Sequence, residues 1–144
     1  MGLDLSCNGV LAKCGSYKNV QVIRRKLLEG LKFYIEMEYH AEKDTVEYII
    51  SLFSKTKEIC YQNFSQQGNQ RLSELGLDGF IPFIYHNDNM GYLSSHEAKE
   101  FMQTWEITKE YMDTTLKDYE RKFYLEYIFK ESIRSGENLS LIHI

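Results

Sequence analysis

Apolar residues recur at three- and four-residue steps through Val20, Ile23, Leu27, Leu31 and Tyr34, the mark of one buried helix face. Ser16 or Asn19 can cap its start. Gly30 interrupts the pattern at a cost of roughly 1 kcal/mol against alanine, which points to a close neighbour there. A second helix is expected over 41–63, with Val46, Ile49, Ile50, Phe53 and Cys60 inward and Lys43, Glu47, Lys55 and Glu58 outward. The polar stretch SQQGNQ at 65–70 reads as a loop, and 71–77 as a brief helix ended by Gly76 or Gly79.

The helical pattern then breaks. GFIPFIY contains the chain's one proline, and Pro82 removes a donor while pushing Ile81 toward extended geometry. An extended segment and acidic turn are therefore expected over 80–94. From Ser95 the helical period returns in two stripes. One runs through Ala98, Phe101 or Met102, Trp105, Thr108 and Met112. The other runs through Leu116, Tyr119, Phe123 and Tyr127, with Phe129 or Ile133. Asp113, Thr114 and Thr115 lie between them and suit a cap, so one long helix and two shorter ones both fit. Ser135-Gly136 stop the pattern. The opening 1–15 reads as an irregular strand, and the closing 139–144 alternates as a strand does. The expected fold is mainly α with a small β element, an α+β domain of about four helices whose opening and closing segments pair as short strands, either with each other or with the apolar run at 80–85.

Length and charge narrow the function. A chain of 144 residues, 43% hydrophobic, suits a single domain with its own core. A net charge of −4 argues against nucleic acid as partner. No apolar run nears the roughly 20 residues of a membrane span, so no membrane role is expected. Cys7, Cys14 and Cys60 are an odd number without framework spacing, which fits a reducing, cytoplasmic setting. Met1-Gly2-Leu3-Asp4-Leu5-Ser6 matches an N-myristoylation pattern, but one acyl chain beside Asp4 anchors weakly, and a strand is preferred.

The stretch YHNDNMGYLSSHEAKEF carries the sharpest chemical question. With Gly91 sixth in a calcium-loop pattern, His86 falls first, Asp88 third and Glu97 twelfth. His86, Asp88 and Glu97 are thus a candidate metal set. Calcium prefers oxygen ligands, so His86 and Met90 fit poorly and two carboxylates would hold it only weakly. The helix that should enter such a loop is displaced by Pro82 and the extended run. Ser94-Ser95-His96-Glu97 also reads as a capping box, which explains Glu97 without a metal.

The segments MGLDLS, CGSY and FIPFIYHNDNMGYLS together resemble a family of small uncharacterised proteins of phages and bacteria. Its members begin MGLDI, carry a GSY segment and have a loop of HSDCDG or FSDCEG type. Asp88 and Gly91 match that loop, whereas Asn89 and Met90 replace its cysteine and second acid. The resemblance implies a class of protein without an established activity. The tail SLIHI resembles a translated sequencing-adapter string and equally suits a terminal strand.

A second candidate site, for an anion or another small ligand, gathers Cys14, Gly15, Ser16 and Tyr17 at the start of the first helix with Lys18, Arg24 or Arg25. A solvated basic helix face explains the same cations. Cys7, Cys14 and a histidine are spaced too widely for a common zinc finger, and no phosphate loop or nucleophile elbow is present. The expectation is a small non-enzymatic binding or regulatory module, phage-encoded, acting on a host protein or a small molecule and requiring no firm cofactor. The alternative is a metal-dependent module or enzyme built on the degenerate EF-hand-like loop at 86–97 with weakly held calcium.

Overall fold

The structure is a computed structural model. It describes residues 2–53, 58–85, 91–115 and 119–143, with the side chains of 2, 3, 13–17, 19, 113–115, 119–124, 142 and 143 excepted.

The chain opens with a hairpin. Strand β1, Gly2–Cys7, turns through Asn8 and Gly9 into β2, Val10–Ser16. Both turn residues have positive φ, 49° and 80°, the backbone of a two-residue turn that matches strand twist. The closing strand β4, Leu139–His143, pairs antiparallel with β1 and on its other side with the short β3, Gly91–Leu93. The sheet order is β2-β1-β4-β3. The opening and closing segments therefore pair, as their alternation predicts.

One face of the sheet carries Leu5, Cys7, Ala12, Leu93, Leu139 and Leu141, all buried. The other carries a row Leu11, Ser6, Ser140 and Tyr92 in register, with Leu11 and Tyr92 exposed. Helices cover the apolar face, so the fold is α+β, with six α-helices among the described residues where about four were expected.

Helix α1, Tyr17–Glu38, buries Val20, Ile23, Leu27, Leu28, Leu31 and Ile35 against the sheet and α5. α2 spans only Lys43–Ser51, and the described residues beyond it form an isolated bridge between Phe53 and Ile59 and a 3-10 turn at Tyr61–Asn63 in place of the expected helix. Ile50, expected inside, is half exposed.

α3, Gln66–Glu74, starts within the stretch read as a loop and takes in the first half of the brief helix expected over 71–77. Its ends explain it. Ser65 Oγ accepts from Gly68 N at 3.0 Å. At the far end Leu77 N donates to Leu72 O and Gly76 N to Ser73 O, with Gly76 at φ 72°, the Schellman arrangement.

The expected extended run is instead a five-residue helix, α4, Ile81–Tyr85. Pro82 falls in its first turn, where a backbone N–H has no helical acceptor in any case.

The later helices are two. α5, Ser95–Thr115, and α6, Tyr119–Ser135, pack antiparallel, since Phe101 stacks on Phe129 and Trp105 Nε1 donates to the Glu126 carboxylate. The α5 stripe is as expected, with Ala98, Phe101, Met102, Trp105, Thr108 and Met112 buried. The described α6 stripe is Leu125, Ile128, Phe129 and Ser132, while Tyr127 and Ile133 face out. Leu116 lies outside the described residues, and the side chains of Tyr119 and Phe123 do too. Gly136, at φ 73°, closes α6 by donating to Ser132 O.

Candidate functional site

The two sequence-level candidates fare differently. Of the metal set, His86 and Asp88 lie outside the described residues. Glu97 is described, and it caps α5. Ser94 N donates to Glu97 Oε1 at 2.9 Å, and Glu97 N donates to Ser94 Oγ at 3.0 Å. This is the reciprocal capping box the spacing suggests. One expectation about this region needs correction: a helix does precede the loop, because α4 ends at Tyr85. Among the described residues no three His, Cys, Asp or Glu side chains gather where a metal could be held.

Ser94→Ala is expected to cost about 1 kcal/mol through loss of this cap. Urea denaturation checks it, repeated with and without calcium for the parent chain and Glu97→Gln. A cap gives a modest loss in Ser94→Ala and no calcium effect. A calcium loop gives stabilisation by calcium that Glu97→Gln abolishes.

The second candidate has a physical cleft beside part of it. Cys14, Gly15 and Ser16 finish β2 rather than opening a helix, and α1 begins directly at Tyr17. Their side chains, and that of Tyr17, lie outside the described residues, so the candidate rests on the later positions of α1. Lys18, Gln21, Val22 and Arg25 share one face of α1 by helical spacing. They line a cleft of about 470 Å³ whose opposite side is Glu58, Ile59 and Tyr61. That volume is in the usual range for small-molecule sites.

The three basic residues of α1 named as candidates divide between core and cleft. Arg24 is fully buried, its guanidinium carbon 5.2 Å from the centroid of the Phe83 ring. It is therefore part of the core and not of the solvated face that was the simpler expectation. Lys18 is exposed. Arg25 keeps a loose pair with Glu29, Nε to Oε1 3.5 Å, beyond good hydrogen-bond length, and that buried Nε has no hydrogen-bond partner among the described residues. Arg71 and Arg134 differ sharply. Arg71 donates to both Glu42 and Glu74, and Arg134 donates twice to Glu131.

Those saturated pairs shift the carboxylates in the ordinary way. Hydrogen bonds from Arg71, and secondarily from Thr45, hold Glu42 below the usual carboxylate value. Arg134, then Asn8, do the same for Glu131. Lys109 lowers Glu106. Near the end of α1, burial pushes the Tyr34 phenol up, aided by Tyr39 and Glu38. Burial also raises Tyr111, whose hydroxyl donates to Glu38 at 3.2 Å. These are ion pairs and a tyrosine cluster at helix surfaces, each explained by packing.

Tyr61 is the cleft residue that sequence reasoning missed. Its hydroxyl donates to Gln21 Oε1 at 3.1 Å, joining the 3-10 turn to α1 across 40 positions of chain. Its ring stacks on Phe64, centroids 6.1 Å apart at 18°, and meets Tyr85 edge-on at 6.0 Å. Only the tertiary fold brings these residues to α1, and no local spacing signals it.

No family model, curated protein or solved structure matches the chain. The cleft must therefore be read on its own chemistry. Among the described residues its lining offers two cations, an amide, a phenol and a carboxylate. Among the described residues no helix is long and apolar enough to cross a membrane.

Proposed function

We propose that this protein is a non-enzymatic binding module and that its ligand is a small anionic molecule taken into the cleft between α1 and residues 58–61. The observation that carries this reading is the state of Arg25. It lines the cleft and, among the described residues, is held by one loose ion pair through Nε to Glu29. A planar guanidinium in that state has donors to offer a carboxylate or phosphate. Lys18 adds a second positive charge two turns earlier on the same helix face.

Calorimetric titration with ribose 5-phosphate tests the proposal. Saturable binding that weakens at least tenfold in both Arg25→Gln and Lys18→Gln is the expected result. Such binding should also weaken as salt rises, because the recognising charges are partly solvated. Binding unchanged in both variants would place the anion elsewhere and remove the cleft from consideration.

A further inference from the structure

We infer that the ligand of this cleft carries a planar aromatic ring beside its anionic group, the shared chemistry of nucleoside monophosphates and aromatic carboxylates. The inference rests on the anion-binding reading above and deepens it.

Its starting point is how firmly Tyr61 is held. Phe64 stacks on the ring, Tyr85 abuts both rings edge-on at 6.0 and 5.1 Å, and Gln21 accepts from the hydroxyl. A phenol fixed at its ring and its tip has little rotamer freedom left to lose on binding. Phe64 and Tyr85 do not line the cleft, whereas Tyr61 does. The part of Tyr61 that faces the cleft is therefore the part those two rings leave uncovered. A flat ring laid there gains offset or edge contact with an already ordered aromatic wall.

The rest of the cleft fits such a ring. Val22 and Ile59 supply apolar contact on its two sides. Gln21 spends its carbonyl oxygen on Tyr61, so its amide N–H groups are left as donors. Glu58 adds a negative charge to the cleft wall, unfavourable to a bare polyanion. Lys18 and Arg25 stand seven residues apart, about 10 Å along the helix axis, with Gln21 and Val22 between them. A ring in the middle with its anionic group toward one cation uses every side of the cleft.

The test compares adenosine 5′-monophosphate, ribose 5-phosphate and 2-aminobenzoate by calorimetry on the full chain. The ring inference expects the nucleotide or the aromatic acid to bind at least tenfold more tightly than ribose 5-phosphate. It further expects Tyr61→Leu to erase that preference and Tyr61→Phe to keep it. Circular dichroism confirms that each variant is folded. Equal affinity for all three compounds would overturn the ring while leaving the anion reading intact. No binding by any of them would overturn both. If Tyr61→Leu does not fold, a preference that survives in Tyr61→Phe but is lost in Val22→Asp still supports a ring lying in the cleft, and one unaffected by Val22→Asp refutes it.

Discussion

Gly79→Ala is expected to destabilise the protein by about 3 kcal/mol or more, lowering its melting temperature by roughly 10 °C. A Cβ built at Gly79 would lie 2.1 Å from the Glu100 carbonyl oxygen and 2.4 Å from Thr104 Oγ1. The first of these is backbone inside α5, tied by the helix's own hydrogen bonds, and cannot yield as a side chain would. The segment must lift instead. Lifting it breaks the bond from Gly79 N to Thr104 Oγ1, 3.0 Å and buried, and drags the fully buried Phe80 with it. Gly76→Ala is the matched control. It has open space around its Cβ and only a φ of 72° to oppose it, so about 1 kcal/mol is expected. Equal losses at the two glycines would show that the close approach of Gly79 to α5 is not what this position requires.

Phe101→Ala is expected to cost about 3–5 kcal/mol, as large aromatic truncations in a packed core do. Phe101 joins four other rings. Its centroid is 3.9 Å from that of Phe129, 4.9 Å from Phe80, 5.8 Å from Phe83 and 6.3 Å from Trp105. Removing it empties the seam where α4, α5 and α6 meet, and a void among rings held by three helices and the turn before α4 cannot collapse cheaply. Trp105, the only tryptophan and fully buried, reports the unfolding by fluorescence. Ile50→Ala, at a half-exposed site, should stay within about 0.5 kcal/mol of the parent. A Phe101 loss no larger than that of Ile50 would contradict the placement of the core.

These two residues also show what can be read from the chain before folding. Phe101 was legible because α5 is long and one-sided, so its period marks the buried face. Gly79 was legible only as a helix stop. Its actual constraint comes from Glu100 and Thr104, more than 20 positions away, and has no local trace. The start of α3, at 66–70, is hidden for a different reason. Leu72 is its only buried side chain, so no stripe exists, and its caps at Ser65 and Gly76 define it instead. α4 is too short for periodicity to separate helix from strand, and proline in a first turn looks the same as proline before an extended run. The Asn8-Gly9 turn was present as a plain hairpin signal between alternating residues, and reading 1–15 as one irregular strand passed over it. For the site, Lys18 and Arg25 follow from helical spacing, but Tyr61 does not, because a contact across 40 residues is a property of the fold alone.

The position of β4 in the sheet bears on how the molecule comes into being. Of the described strands, β4 comes latest in the chain and lies between β1, the earliest, and β3. Until Leu139–His143 has been synthesised, the hairpin presents the long side of β1 with its backbone groups unmatched, and β3 has no strand to join. Helices α1 and α5 can gather earlier, since their contacts need less of the chain. Completion of the sheet waits for a strand far along the chain from β1, the sort of long-range closure that slows folding. During that wait the bare side of β1 is the place where two nascent chains would join wrongly.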